Sequence, residues 1–152
     1  MNLETQVLSL ELSKRLNELG IKQKTLFTWQ IGADEKPVLN ISFMGEINSI
    51  DYSAFTAAEL LQLLPYHITS QEPEPFNSYR LYISGSVIVK NPECIDPVRI
   101  HIVNYKTDTY DMNEPWANAH RYLIQNIWDE NSANALAKTL VYLIENDLMT
   151  YG

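Results

Sequence analysis

The hydrophobic period of this chain changes repeatedly along its length, and few folds accommodate that. Apolar residues recur at helical spacing, pass to strict alternation, and return to helical spacing. That rhythm describes helices laid on an antiparallel sheet. Leu12, Leu16 and Leu19 stand at i, i+4 and i+7, with Ser9 in the N-cap place and Gly20 just beyond the end. They predict a helix over 10–19. From Thr25 to Ile31 the period becomes two: Phe27, Trp29 and Ile31 alternate with Thr28 and Gln30. Leu39, Ile41 and Phe43 alternate again after the polar turn 32–36, so 25–43 reads as an antiparallel hairpin.

Thr56-Ala57-Ala58-Glu59 is a capping box, with Phe55 and Leu60 at the two positions of a hydrophobic staple. It starts a short helix through Leu60, Leu61, Leu63 and Leu64 that stops near Pro65. The proline-bearing stretch 70–75 is the strongest loop in the chain. Two further strands follow. Tyr79, Leu81, Ile83, Val87 and Val89 share one face provided Gly85 makes no bulge. Val98, Ile100 and Ile102 share another, with Arg99, His101 and Tyr105 pointing away. Pro115 suits a first helical position, and Trp116, His120, Leu123 and Ile127 fall on one stripe, although 122–127 also fits a strand. Leu136, Leu140, Leu143 and Ile144 predict a last helix over 132–146. The expectation is a single α+β domain over 1–152, an antiparallel sheet of about four strands with three to four helices packed against it.

Composition narrows the function classes. The chain has 152 residues, with 11 Lys+Arg against 19 Asp+Glu, a net charge of −8. Such acidity argues against direct, sequence-independent binding to nucleic acid, which depends on neutralising phosphates. The charge is regional: 1–36 balances, whereas from Thr107 onward seven acidic residues face two basic ones. Cys94, the single cysteine, cannot form an internal disulfide, the N-terminal residues show no signal-peptide pattern, and no apolar run is long enough to span a membrane. A cytoplasmic protein is the expectation.

Catalytic patterns are sparse. His67, His101 and His120 have no shared ligand spacing, and Cys94 is flanked by Glu93 and Asp96, which disfavour a thiolate. The five glycines form no phosphate-cradling motif, and no G-x-S-x-G elbow is present. The 108–114 stretch places Asp111 and Asn113 as a calcium loop would, but it lacks the turn glycine and runs into Pro115. Lys14, Arg15, Lys22 and Lys24 around a glycine turn suggest half of a helix-turn-helix, yet strand period follows where a recognition helix belongs. No catalytic residue, metal ligand or cofactor is therefore assigned. The aromatic content points to contact surfaces, and Tyr105, Asp108, Tyr110, Asp111, Glu114 and Trp116 form the candidate interaction surface.

Three blocks carry a resemblance. Ser9–Leu12 with Leu16–Gln23 and the strand ending at Trp29 form the first, and Ala54–Leu60 running to Pro65 forms the second. Asn134–Lys138 with Val141–Asn146 closes the set. In that order they resemble a family of small, uncharacterised bacteriophage and prophage proteins. The resemblance implies a mobile-element origin in a bacterial host and supplies no activity. The function expected is that of a non-enzymatic accessory protein of phage or prophage type acting on an unknown protein partner. The alternatives are an acidic DNA mimic or host inhibitor, with Asp108, Asp111, Glu114, Asp129 and Glu130 on one face, and a small metal-dependent hydrolase using His101 or His120.

Overall fold

The structure is a computed structural model that describes residues 2–22, 25–32, 35–42, 51–70, 78–88, 98–107 and 122–149, with side chains of the fifth strand described to Gly85 and of the sixth from Arg99. Among these residues the elements run α1 (Leu10–Glu18), β1 (Phe27–Ile31), β2 (Pro37–Ile41), β3 (Tyr52–Ser53), α2 (Ala57–Leu63), β4 (His67–Thr69), β5 (Ser78–Ile88), β6 (Val98–Lys106), β7 (Tyr122–Asp129) and α3 (Ser132–Glu145), after a 3-10 turn at Leu3–Thr5. The class is α+β. The sheet expected as one is two, a three-stranded sheet ordered β2-β1-β3 and a four-stranded meander ordered β4-β5-β6-β7. They belong to different compact units, 1–64 with 130–152 and 65–129.

In the first unit, β1 and β2 form the expected hairpin, in register from Phe27↔Ile41 to Ile31↔Pro37. β3 adds to the other side of β1 through Thr28↔Ser53 and Trp29↔Tyr52. At two residues it is too short to show a period. The incoming chain is pinned beside it: the Leu8 amide donates to the Phe55 carbonyl at 2.8 Å, and Val7 bridges Thr56. The Trp29 indole donates to the Leu8 carbonyl at 2.8 Å, and Trp29, Val7 and Ala54 form a buried cluster flanked by Leu10, Phe27, Leu39 and Tyr52.

The helix ends follow their local chemistry. Both halves of the capping box form at α2: Thr56 Oγ1 accepts from the Glu59 amide, and the Glu59 carboxylate accepts from the Thr56 amide at 2.7 Å. The other Glu59 oxygen accepts the Leu26 amide at 3.1 Å, so the same side chain ties α2 to the start of β1. At the end of α1, Gly20 N–H donates to the Asn17 carbonyl and Ile21 N–H to that of Leu16, with Gly20 at φ +87°. This is a Schellman closure, which needs the left-handed region. A Cβ at Gly20 meets nothing within 4 Å, so Gly20→Ala is expected to cost only the backbone strain, about 1 kcal/mol, read as a lower urea midpoint.

Ser9 occupies the N-cap of α1, but its hydroxyl makes no cap bond; its amide donates to Asn134 Oδ1 at 2.9 Å instead. Asn131 caps α3 by accepting from the Ala133 and Asn134 amides and donates to the Val7 carbonyl at 2.8 Å. Thus the first turn of α3 holds the chain entering α1. α3 packs against both α1 and α2. It accordingly buries a wide arc, Ala133, Ala135, Leu136, Ala137, Thr139, Leu140 and Leu143, with small residues allowing close approach. Ser13 on α1 is buried with no hydrogen-bond partner for its hydroxyl among the described residues. Ser13→Ala is expected to stabilise the protein by about 1 kcal/mol, through relief of that unmet hydroxyl and better helix propensity. A lowered melting midpoint would contradict it.

In the second unit, β5 and β6 pair without interruption from Arg80↔Lys106 to Ile88↔Val98, so Gly85 makes no bulge. β7 corrects the helical stripe through Leu123 and Ile127: both residues lie in a strand paired to β6. The reason is two register shifts. Tyr105 faces Ile124 while Val103 faces Ile127, so an extra residue separates the two isoleucines, and Asn126 lies there at φ +58°. A bulge turns period-two spacing locally into three, which mimics a helix. The Asn126 amide is satisfied by Asn104 Oδ1 at 2.7 Å.

Candidate interaction surface

The register of the meander sorts its side chains into two faces. Ile68, Tyr79, Val103, Tyr105 and Ile124 share one parity and are all buried. Tyr105 is therefore corrected from surface to core. It is fully buried, faces Leu81 and Ile124 across the neighbouring strands, and donates its hydroxyl to the Pro65 carbonyl at 2.5 Å. Burial pushes its phenol well above the ordinary value of 10.0. The unfolded chain ionises near pH 10 while the folded one holds the proton, so stability is intact below that pH and falls as pH rises further. The loss approaches about 1.4 kcal/mol per pH unit. Tyr105→Phe is expected to remove that component, and equal alkaline slopes for the two proteins in urea titrations would refute it.

The opposite face carries Arg80, Lys106 and other polar residues at one end, and Ile102 and the buried Ile100 at the other. His67 faces Arg80, Arg80 faces Lys106, and Lys106 faces Tyr122, so one row of side chains crosses all four strands. Arg80 Nε donates to His67 Nε2 at 3.2 Å, so that ring nitrogen is the acceptor. The Arg80 guanidinium stands 5.6 Å from the ring centre of Tyr66, and Lys106 Nζ stands 4.2 Å from that of Tyr82, both within cation–π range. Tyr66 meets His67 edge-on, their ring centres 4.6 Å apart. Two rows further along, Trp128 faces Ile102. Tyr66 is 61% exposed, Trp128 48% and Tyr122 41%, high values for such large rings.

Among the described residues, charge distinguishes this face. The described residues of 65–129 hold one carboxylate, Asp129, opposite His101 and so on the other parity from the row. Asp108, Tyr110, Asp111, Glu114 and Trp116, the remaining residues of the predicted surface, lie outside the described residues, as do His120 and Cys94. Of the carboxylates a DNA mimic would array, Asp129 is half-buried and Glu130 exposed; the others fall in that same stretch. Among the described residues no group of three or more His, Cys, Asp or Glu is placed to hold a metal ion, and no helix is long and apolar enough to cross a membrane.

Elsewhere, a surface depression of about 340 Å³ runs along α1, lined by Glu11, Leu12, Lys14, Arg15 and Glu18. Arg15 there donates to Glu18 at 2.9 Å and to Glu145 of α3, and both partners raise its already high pKa. The site thus fastens two helices, with mixed charge and no convergence of polar groups from several elements.

Reasoning along the sequence missed Tyr66, Arg80, Tyr82, Lys106, Tyr122 and Trp128. Alternation in 79–84 already set Arg80 and Tyr82 opposite to Tyr79, Leu81 and Ile83. Their alignment with Lys106 and Tyr122 depends on register, which the alternation does not specify. In comparisons with known proteins, no family model matches the chain, and no similar curated protein or solved structure was found.

Proposed function

We propose that this chain is a non-enzymatic accessory protein that acts by protein–protein contact through the end of its four-stranded sheet that carries Arg80 and Lys106. One observation carries the reading: Tyr66 and Tyr122 are strongly exposed beside Arg80 and Lys106, and Trp128 is exposed two rows further along the same face. Tyr, Trp and Arg are the side chains that most often dominate binding energy at protein interfaces, because they bury large area and lose little conformational freedom. The three blocks that resemble phage and prophage proteins support a bacterial mobile-element setting, with the partner belonging to the host or the element. No enzymatic chemistry is needed for this role.

The test is affinity capture from bacterial lysate with the wild-type protein and with a Tyr66→Ala, Trp128→Ala double variant. Both residues are exposed, so the variant should keep its fold by far-UV circular dichroism. A protein retained by the wild type and lost with the variant is expected. Identical capture by both proteins would end this assignment of the surface.

A further inference from the structure

We propose that the open edge of β5 pairs antiparallel with the same edge of a second copy of this chain, about a two-fold axis at Gly85. β4 covers β5 only from Ser78 to Arg80, with one further bond from the Leu81 amide to the Tyr66 carbonyl at 3.0 Å. Next in line is Pro65, which has no N–H to continue the ladder. Beyond that point, among the described residues, β5 runs to Ile88 paired to β6 alone. Ile83, Ser84 and Gly85 are all exposed there. The Leu81 amide points to β4, and backbone direction alternates along a strand. Ile83, Gly85 and Val87 therefore turn their N–H and C=O groups outward.

Such an edge accepts another strand unless something blunts it. β7, at the other side of the sheet, is blunted by two register shifts and by Asn126 at φ +58°. β5 has no such device: it pairs with β6 without a shift, and Leu81 to Ile88 include no proline and no charged residue. Gly85 also lacks a reason within the chain. Its φ is not in the left-handed region, and a Cβ there would meet only the Ile100 carbonyl oxygen at 3.9 Å, an ordinary contact. Glycine weakens a strand interior and is used where a second backbone comes close.

The sequence of this edge selects its occupant. Read outward from Gly85 in both directions, Ser84 is matched by Ser86, Ile83 by Val87 and Tyr82 by Ile88. A two-fold axis at Gly85 sets it opposite Gly85 of the partner subunit, and Ile83 opposite Val87 of the partner subunit. These are the positions whose backbone groups point outward, so each pair exchanges both of its hydrogen bonds. The register matches β-branched with β-branched residues and serine with serine, and opposes no like charges. Pairing over 83–87 stops before Pro65, which leaves β4 in place beside β5. The shared run is short and each copy carries a net charge of −8, so the dimer is weak and added salt strengthens it. This edge is separate from the Arg80–Lys106 end, and its failure would leave the contact role proposed above standing.

Sedimentation equilibrium of the full-length protein tests the pairing, over about 10 µM to 1 mM. Wild type is expected to pass from monomer to dimer across that range. Gly85→Lys and Gly85→Glu each set two like charges face to face on the axis, and each should stay monomeric with wild-type far-UV circular dichroism. Mixed in equal amounts they should associate again, because the axis then holds opposite charges. Ile83→Lys alters a side chain already 46% exposed and should raise the dissociation constant about tenfold or more, independently of position 85. A wild type that is monomeric at about 1 mM would overturn the proposal. So would a dimer unaffected by these variants, or a mixture no more associated than its components. A monomeric wild type that binds a labelled Thr–Val peptide, and loses it in Gly85→Lys, would give the edge to a strand of another protein instead.

Discussion

Trp29→Ala is expected to destabilise the protein by about 3–5 kcal/mol, the range for deleting a large buried aromatic. Trp29 is 6% exposed and lies at the junction of three segments. It belongs to β1, pairs with Tyr52 of β3, and packs with Val7 of the N-terminal stretch and Ala54 after β3. Its indole N–H also satisfies the Leu8 carbonyl, so truncation leaves both a cavity and an acceptor without its donor. Against a typical total of about 5–15 kcal/mol, such a loss brings the fold near its limit. Urea unfolding followed by far-UV circular dichroism measures it. Trp29→Phe separates the contributions, since it keeps most of the apolar ring and loses the hydrogen bond; it should fall between wild type and the alanine variant. A wild-type midpoint for Trp29→Ala would remove the tryptophan from the centre of this core.

Leu140→Ala is the second large effect, expected at about 2–5 kcal/mol. Leu140 is fully buried on α3, the helix that packs against both α1 and α2. Alanine is the better helix former, but by a few tenths of a kcal/mol, far less than the lost burial and cavity. Tyr142, two residues on and 40% exposed, is the internal control: Tyr142→Ala should shift the midpoint by no more than about 0.5 kcal/mol. The contrast reads the orientation of α3. Similar losses at the two positions would mean that the buried arc of the helix is drawn wrongly.

The two positions differ in how legible they are. Leu140 is visible in the sequence because its i, i+4 and i+7 neighbours on the same helix declare one face. Trp29 is visible as an inward strand residue, but its bond to the Leu8 carbonyl joins residues 21 apart and leaves no trace in local pattern. Helix ends show the same division. The Thr56–Glu59 box and the Gly20 closure are bonds within a few residues, and both form as read. Ser9 has the right residue type for a cap, yet its amide, not its hydroxyl, is what α3 engages, through Asn134.

The strands divide likewise. β1, β2, β5 and β6 announce themselves by alternation. β3 and β4 have two and three residues, too few to carry a period, and they exist because a longer neighbour offers unpaired backbone groups. β7 carries the stripe through Leu123 and Ile127 that suggests a helix; its bulges instead put Ile124 on the face shared with Ile127, opposite Tyr105 and Val103. The interaction surface was the least legible feature. Tyr105 was placed correctly opposite Ile100 and Ile102, but the buried side of β6 at that end is its own side, since Leu81 and Ile124 flank it there.

The sequence by itself therefore determined what depends on neighbours along the chain: the α+β class, the three helices, the Thr56–Glu59 box and Gly20 closure, and strands β1, β2, β5 and β6. Those features rest on side-chain period and on hydrogen bonds closed within one turn. Only the tertiary structure decided that the strands form two sheets, that 122–129 is a strand, and that Arg80 and Lys106 stand opposite each other in a row ending at Tyr122. Pairing and register are choices among distant segments, and a shift of one residue would send every side chain of a strand to the other face.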